Sequence, residues 1–294
     1  MMTLTHLSHP EDTILTGDLS VFDLLYDVGH ISMKMDGMSL VWGTNPLNGK
    51  FFVCTKSCFN KKKDRKCYTT DDIFEHFGHQ MEVFEILTYC LKYLPRTDNI
   101  YWADWLGFGR TDVLTQNTLT YAFPEAITQK LVIAPHTQVY VTTAFHEPVC
   151  EPIKESFDDS VIIKWVQPAV DRIFGGYDAP KINTDNIKFL TDKEASQAKV
   201  AINALIKSGQ FVDDATLTEI LGCPFLANLY QLVIDIKYDL MDSFIINDAP
   251  TAYLPNGKET DGEGYVFHSD TYGSVKLVKR AEFAYANFNH GFGN

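Results

Sequence analysis

The sequence has no long hydrophobic run and no stretch of biased composition. Its 294 residues contain no run of about eighteen apolar residues, which excludes a typical membrane-spanning helix. The first residues lack a basic segment followed by an apolar one, so we expect no secretory signal and a cytoplasmic location. Charged and apolar fractions of 21% and 45% are ordinary for a globular chain, which at this length buries one large core or two modest ones.

The cysteines are scattered and lack the spacing of a metal site. No two of the six cysteines form a Cys-x-x-Cys pair. A zinc site or a disulfide framework would require such close or regular spacing, so we expect free thiols in a reducing compartment. The cysteines are Cys54, Cys58, Cys67, Cys90, Cys150 and Cys223.

Positive charge is also in short supply. The net charge of −13 argues against a surface that binds nucleic acid over its whole extent, but it leaves room for a local basic groove. One dense basic run lies between residues 60 and 66. It is either a solvated loop or a loop that contacts phosphates beside a functional site, and the sequence alone favours neither. Its basic residues are Lys61, Lys62, Lys63, Arg65 and Lys66.

One lysine stands among apolar residues near the start of the chain. Lys34 lies between two methionines and is followed by Asp36 and Gly37. The next segments, 39–42 and 50–55, have the composition of strands and are separated by turn residues. Lys34 is therefore predicted to end an extended segment. A partly buried lysine loses proton affinity and becomes a nucleophile; the alternative is an ordinary strand-end lysine beside an Asp-Gly turn.

A helix is predicted over residues 71–93. Apolar side chains return to one side of this segment at helical spacing. Thr69 or Thr70 is placed to cap its first turn.

A single carboxylate lies in an aromatic strand near the middle of the chain. Asp104 falls within 100–108, and an unpaired buried carboxylate is costly, so it needs either a basic partner in the core or a ribose or metal ion to contact. Pro135 interrupts the strand-rich segment 129–143, which predicts a sheet edge or a bulge. We interpret the neighbouring His136 as structural rather than as a general base.

The central part of the chain has a helical pattern. Apolar residues recur at helical spacing in 192–208 and 226–246. We interpret residues 147–251 as a helical insertion or subdomain between a first part, 1–146, and the last strands, 252–294. The predicted fold class is α+β, with antiparallel sheets, flanking helices and this insertion.

Two strands are predicted near the end of the chain. They cover 261–268, which begins with an acidic turn containing Glu263, and 274–280. Alternation places Lys276 on one face of the second strand and Lys279 on the other. Taken alone, these charged residues fit a turn and an ordinary edge strand.

Taken together, these segments resemble the ordered motifs of the covalent nucleotidyltransferase superfamily, which contains DNA ligases, RNA ligases and mRNA capping enzymes. The stretch 34–37, of the form Lys-x-Asp-Gly, is similar to motif I, where the nucleotide is attached. The stretch 263–266, of the form Glu-Gly-apolar-Val, is similar to motif IV, and Lys276 with Lys279 is similar to motif V. These motifs occur in the family's order and span nearly the whole chain.

Other positions resemble the family less closely. Asp104 occupies the place of motif III, where the family usually has Glu, and Lys56 stands where many ligases carry Arg. Tyr121 or Phe123 is the candidate for the aromatic residue that stacks on the base. Asp36 would orient the nucleophile or help to hold a metal ion.

The resemblance implies a nucleotidyltransferase fold of the ATP-grasp-like ligase type, with ATP as substrate and Mg²⁺ as cofactor. Lys34 would attack the α-phosphorus of ATP and form a lysyl-AMP phosphoramidate. Lys276 and Lys279 would contact the phosphates and, with a bound metal, lower the pKa of Lys34. Glu263 is the first candidate for a Mg²⁺ ligand and Asp104 the second.

The expected activity is that of a polynucleotide ligase, sealing a 5′-phosphate to a 3′-hydroxyl. The segment after Lys279 is too short for the OB-fold domain of DNA ligases and capping enzymes, which favours an RNA-ligase type and RNA over DNA as partner. Several local features also resemble ligase-like phage proteins, in which case the location is the host cytoplasm. The alternatives are nucleotide transfer to a protein acceptor and a ligase-derived protein that binds without turnover.

Overall fold

The fold is mixed α+β. A computed structural model describes residues 7–59, 65–140, 149–173 and 176–289. Within these ranges the strands pair antiparallel, apart from one parallel pair, and helices pack around them. This agrees with the α+β class expected from the sequence. No helix in the described ranges is long and apolar enough to cross a membrane.

Helices and strands alternate irregularly along the chain. Short 3-10 turns cover Ile14–Thr16 and Lys56–Phe59. The α-helices are α1 (Pro10–Thr13), α2 (Ser20–Tyr26), α3 (Thr70–Phe77), α4 (Met81–Tyr93), α5 (Asp192–Lys207), α6 (Asp214–Leu221), α7 (Pro224–Asp242) and α8 (Arg280–Asn289). The strands are β1 (His30–Lys34), β2 (Met38–Asn45), β3 (Lys50–Cys54), β4 (Ile100–Phe108), β5 (Val113–Gln116), β6 (Leu119–Ala122), β7 (Leu131–Tyr140), β8 (Val149–Pro152), β9 (Ile163–Trp165), β10 (Ala169–Arg172), β11 (Phe244–Asn247), β12 (Thr251–Tyr253), β13 (Glu259–Thr260), β14 (Gly264–Ser269) and β15 (Gly273–Leu277).

The largest sheet has the strand order β3-β2-β4-β7-β8, and β9 pairs in parallel with the start of β7. Its central strands, β4 and β7, are buried over almost their whole length. Helices α3 and α4 share a hydrophobic cluster with this sheet, contributed by Ile73, Phe77, Ile86 and Leu87. A polar side chain on β4 therefore lies inside the protein, where it needs a partner.

A three-stranded sheet joins the two ends of the chain. Strand β1 pairs antiparallel with β14, and β14 pairs with β15. Lys34 stands opposite Gly264, while Val266 stands opposite Lys276. This register places Glu263 beside Lys34 although the two are 229 positions apart in sequence.

The helix predicted over 71–93 is in fact two helices. Thr69 caps α3 in a capping box with Asp72, as its position suggested. The backbone N–H of Gly78 then bonds to the carbonyl of Phe74 and ends α3, and the chain turns before α4 begins at Met81. Apolar spacing continues across the break, so periodicity alone did not reveal it.

The helical segment is shorter than the predicted 147–251. Strands β8 and β9 belong to the largest sheet, and β10 pairs with β11. Because strands occupy much of 149–172, the helices that the structure describes in this region lie within 192–242. Helices α5, α6 and α7 belong to one hydrophobic cluster that also contains residues of β1 and β14.

Candidate active site

A cavity of about 400 Å³ opens between the largest sheet and the three-stranded sheet. Strands from distant parts of the sequence supply its walls, with further side chains from the loops around them. Of the site residues proposed from the sequence, the cavity is lined by Lys34, Asp36, Lys56, Asp104, Glu263 and Lys276.

Lys34 holds two carboxylates together at the centre of this site. Its Nζ lies 2.5 Å from Glu263 Oε2 and 3.3 Å from Asp104 Oδ2. The side chain of Lys34 is 20% exposed to solvent, whereas that of Asp104 is 4% exposed. Asp104 thus has the basic partner that a buried carboxylate requires, and that partner is the candidate nucleophile.

The charge balance around Lys34 is opposite to the sequence-based expectation. Burial by itself would lower the pKa of the Lys34 amine, but the carboxylates of Asp104 and Glu263 outweigh it and raise that pKa. Lys34 is therefore protonated in this structure. The expectation of a lowered pKa rested on burial, on the late-chain lysines and on a bound metal, and it left out the two carboxylates that contact the amine.

The two carboxylates respond differently to the same environment. Burial raises the pKa of Glu263 to about 7, with Asp104 adding to the effect and Lys34 opposing it. Burial also acts to raise the pKa of Asp104, but Lys34 and His136 together lower it. Asp104 is consequently ionised at neutral pH, while Glu263 lies close to its titration point.

Asp36 and Gly37 are each fixed by contacts with neighbouring backbone. The Asp36 carboxylate accepts the backbone N–H groups of Thr118 and Leu119 at 2.7 and 2.9 Å, so it fixes the turn between β5 and β6. A Cβ on Gly37 would lie 2.6 Å from the carbonyl oxygen of Trp105, which explains why this position has no side chain. Asp36 thus anchors the neighbouring turn rather than contacting Lys34 directly.

The two lysines of the late strand have separate surroundings. Lys276 lines the cavity, and burial, reinforced by Lys34, lowers the pKa of its amine. Lys279 does not line it: its Nζ lies 3.0 Å from Asp242 and 3.3 Å from Asp261 on the outside. Strand β15 ends at Leu277, so the alternation that relates the two lysines does not continue to Lys279. The structure therefore does not place Lys279 in this cavity, and its contact with phosphates stays a prediction.

The aromatic lining also differs from the prediction. Phe123 packs against the hydrophobic cluster and does not line the cavity, and the hydroxyl of Tyr121 accepts the backbone N–H of Asp36 at 2.6 Å. Trp102 and Phe283 line the cavity instead. The sequence offered no reason to choose these two rings from 38 aromatic side chains (20 Phe, 14 Tyr and 4 Trp).

The basic run is described only in part. Lys61, Lys62 and Lys63 lie outside the described residues. Arg65 stands over the ring of Phe77 at 6.0 Å, and Lys66 donates to the carbonyl of Cys58 at 3.3 Å. Neither of the last two basic residues lines the cavity, so a role for the run in nucleic-acid binding stays a prediction.

His136 is the main residue of the cavity to which sequence reasoning assigned no function. It lines the wall, is 2% exposed, and its Nε2 lies 3.2 Å from Asp104 Oδ2. Burial lowers the pKa of its imidazole, which is therefore neutral. Pro135 correctly indicated an irregularity in β7, but nothing in the sequence showed that the bulge turns His136 toward Asp104.

A cluster of buried charged residues connects α1 with α7 and the start of α8. The Arg280 guanidinium lies 3.1 Å from Glu11 and 2.9 Å from Asp12, and Lys237 lies 2.9 Å from Glu11. The backbone N–H of Lys276, four residues before Arg280, donates to a carbonyl just ahead of α1. The cluster therefore ties the start of the chain to the strand that carries Lys276.

The chain matches the sequence profile of a family of unknown function, DUF6267, over residues 4–222 and 190–291. It belongs to that family. No curated protein and no solved structure matches this DUF6267 chain. Its function must therefore be inferred from the geometry of the site itself.

Proposed function

We propose that this DUF6267 protein is an ATP-dependent nucleotidyltransferase of RNA-ligase type, with Lys34 as its nucleophile. The observation that carries the proposal is the meeting of Lys34, Asp104, Glu263 and Lys276 in one cavity. A protonated lysine between two carboxylates is also a common structural ion pair. Here, however, the pair lines an open cavity that has a second lysine in its wall.

The cavity fits a nucleotide. Its volume of about 400 Å³ is within the range of small-molecule sites. Lys56 and Lys276 would face the phosphates as cations, Lys34 being held by its two carboxylates, and Trp102 offers an aromatic surface for a base. The antiparallel sheets on either side of the cavity are compatible with the ligase fold that the motifs suggest.

The carboxylates fit a magnesium ion. Glu263 and Asp104 provide the hard oxygen ligands that Mg²⁺ prefers, and the Lys34 ammonium lies between them where a cation is favoured. When bound, Mg²⁺ would supply positive charge to the phosphates. Among the described residues no three acidic, histidine or cysteine side chains are already gathered around one point, so phosphate or water oxygens would complete its coordination.

In the proposed reaction the neutral Lys34 amine attacks the α-phosphorus of ATP. The N–P bond forms as the bond between the α-phosphorus and the bridging oxygen breaks, and pyrophosphate leaves with that electron pair. Lys34 must first lose a proton, and Glu263 is the nearest base, at 2.5 Å. The adenylate would then pass to a 5′-phosphate on RNA, and a 3′-hydroxyl would displace AMP to seal the strand.

The test is covalent labelling with ATP carrying ³²P at the α-position, in the presence of Mg²⁺. We expect acid-labile label on the wild-type chain and none on Lys34→Met, whereas Lys50→Met, at an exposed lysine on β3, keeps the label. An unlabelled wild-type chain, or label that survives in Lys34→Met, would refute the proposal. Nicked and single-stranded 5′-phosphorylated RNA and DNA are then offered to the labelled chain; label without sealing indicates another acceptor, such as a protein.

A further inference from the structure

His136 reaches the cavity because β7 bulges beside it. Trp102 pairs with Thr137 and Ala103 pairs with Pro135, which leaves His136 as the extra residue of β7. The hydroxyl of Ser32 donates to the carbonyl of His136 at 2.6 Å and holds the bulge from the neighbouring sheet. The bulge in β7 and the hydrogen bond from Ser32 on the neighbouring sheet thus fix the imidazole in the wall of the cavity.

The two ring nitrogens of His136 have different surroundings. Nδ1 lies 2.7 Å from the hydroxyl of Thr137. Nε2 is buried and has no aligned hydrogen bond among the described residues, although Asp104 Oδ2 is 3.2 Å away. A proton on Nε2 points to the carboxylate of Asp104, whereas a proton on Nδ1 points to the Thr137 hydroxyl and leaves the Nε2 lone pair toward Asp104 Oδ2. In the second tautomer the two atoms would be stabilised by a cation that both of them bind.

The positions of Nε2 and Asp104 Oδ2 suit two ligands of one metal ion. Ligands at right angles and ~2.1 Å from an octahedral ion are ~3.0 Å apart. The observed separation is 3.2 Å. The hydrogen bond at Nδ1 is the kind of outer contact that fixes the tautomer and the ring orientation of metal-bound histidines.

We propose that His136 Nε2 is a nitrogen ligand of the divalent ion at this site, next to Asp104, and that it makes the site prefer Mn²⁺ to Mg²⁺. Imidazole is a good ligand for transition metals, whereas Mg²⁺ takes oxygen ligands. The inference rests on the proposed function only for the presence of a divalent ion in the cavity. It concerns metal binding without nucleotide, so it can be tested apart from lysine labelling.

Lys34 competes with this ion. Its ammonium lies 3.3 Å from the same Oδ2 of Asp104 and 2.5 Å from Glu263, so it neutralises the oxygens that the metal would use. Replacing Lys34 with methionine removes this competing cation but leaves the carboxylates and His136 in place. The structure therefore predicts that Lys34→Met binds Mn²⁺ more tightly than wild type.

The experiment is pulsed EPR of Mn²⁺ bound to the nucleotide-free protein, with Mn²⁺ and Mg²⁺ affinities measured by calorimetry. We expect the ¹⁴N coupling of a directly bound imidazole in wild type, in Lys34→Met, and in His268→Asn, a control at a buried histidine on β14. His136→Ala loses the coupling, and its preference for Mn²⁺ over Mg²⁺ falls by about tenfold or more. In Lys34→Met the Mn²⁺ affinity rises by about tenfold.

Two results would overturn the inference. If Mn²⁺ binds wild type without ¹⁴N coupling, His136 is not a ligand, whatever the labelling assay shows. If wild type and Lys34→Met both fail to bind millimolar Mn²⁺, these residues form no metal site in the free protein. Neither result depends on a folded His136→Ala variant, because the spectra of wild type and Lys34→Met decide both.

Discussion

Glu263 provides a sharp test of the electrostatics of the cavity. Its pKa is raised from an ordinary value of 4.5 to about 7, so the folded chain keeps a proton that the unfolded chain has released. Unfolding therefore becomes more favourable as the pH rises from 4.5 through 7. Glutamine resembles the protonated form of glutamate, and Glu263→Gln should remove this contribution.

The magnitude follows from the two pKa values. The difference between 4.5 and about 7 corresponds to about 3.4 kcal/mol of unfolding free energy. Because 15% of the Glu263 side chain is exposed, and because pH 5 already lies above 4.5, we expect about half of this, ~1.5 kcal/mol, between pH 5 and pH 8. Wild type should lose that much stability relative to Glu263→Gln over this range.

Other groups must be separated from this effect. Burial lowers the pKa of His9 and of His136, which makes the folded chain more stable as the pH rises through 6.5, the opposite sign. Lys34, with a raised pKa, and Asp104, with a lowered pKa, titrate outside the range. The quantity to follow is therefore the difference between wild type and variant, in which contributions common to both cancel.

The assay is urea unfolding followed by tryptophan fluorescence at several pH values from 5 to 8. Glu259→Gln, at an exposed glutamate on β13, serves as control, and its difference from wild type should not change with pH. If the difference in unfolding free energy between wild type and Glu263→Gln stayed constant from pH 5 to pH 8, the reasoning would be refuted. A wild type that gains stability over the variant as the pH rises would show that Lys34 stabilises the ionised form more than burial disfavours it.

Three further predictions concern neighbouring residues. In the labelling assay, Lys276→Met should lose about 10²-fold in rate, because Lys276 lines the cavity, whereas Lys279→Met should stay within about threefold, because Lys279 pairs with Asp242 and Asp261 outside it; equal losses would contradict this assignment. Gly37→Ala should destabilise the fold by about 1–3 kcal/mol in urea unfolding, since the new Cβ would lie 2.6 Å from the carbonyl oxygen of Trp105, and an unchanged midpoint would show that β4 yields. Arg280→Met should cost about 3–5 kcal/mol by the same measurement, because Glu11 and Asp12 lose a buried partner; a loss under about 1 kcal/mol would show that Lys237 alone compensates them.

Residue type and strand alternation predicted part of the site. A lysine ahead of an Asp-Gly turn, a carboxylate in an aromatic strand and a glutamate ahead of an alternating segment each indicated a charged group in extended structure. The structure brings Lys34, Asp104 and Glu263 into contact, which depends on the pairing of β1 with β14. That pairing joins opposite ends of the chain, so no local pattern could establish it.

The errors arose where a local pattern was extended beyond the element that supports it. Alternation related Lys276 to Lys279, but β15 ends between them and the chain turns away. Helical periodicity continued through Gly78, so a single helix was predicted. Two separate helices give the same pattern when both place their apolar faces against the same sheet. The strands within 149–172 are only three or four residues long, which is too short to establish a period, and their positions are fixed by pairing with neighbouring strands.

The charge balance in the cavity links the two proposals. Among the described residues that line it, three amines face three carboxylates, so the cavity has no surplus positive charge for a triphosphate. A nucleotide bound as we propose would have to bring a cation with it or separate Lys34 from Asp104 and Glu263. A metal ion held by Asp104 and Glu263 would do both, since it would add positive charge and take away the partners that keep the Lys34 amine protonated. If Lys34 is the nucleophile that we propose, metal binding and loss of its proton would be coupled.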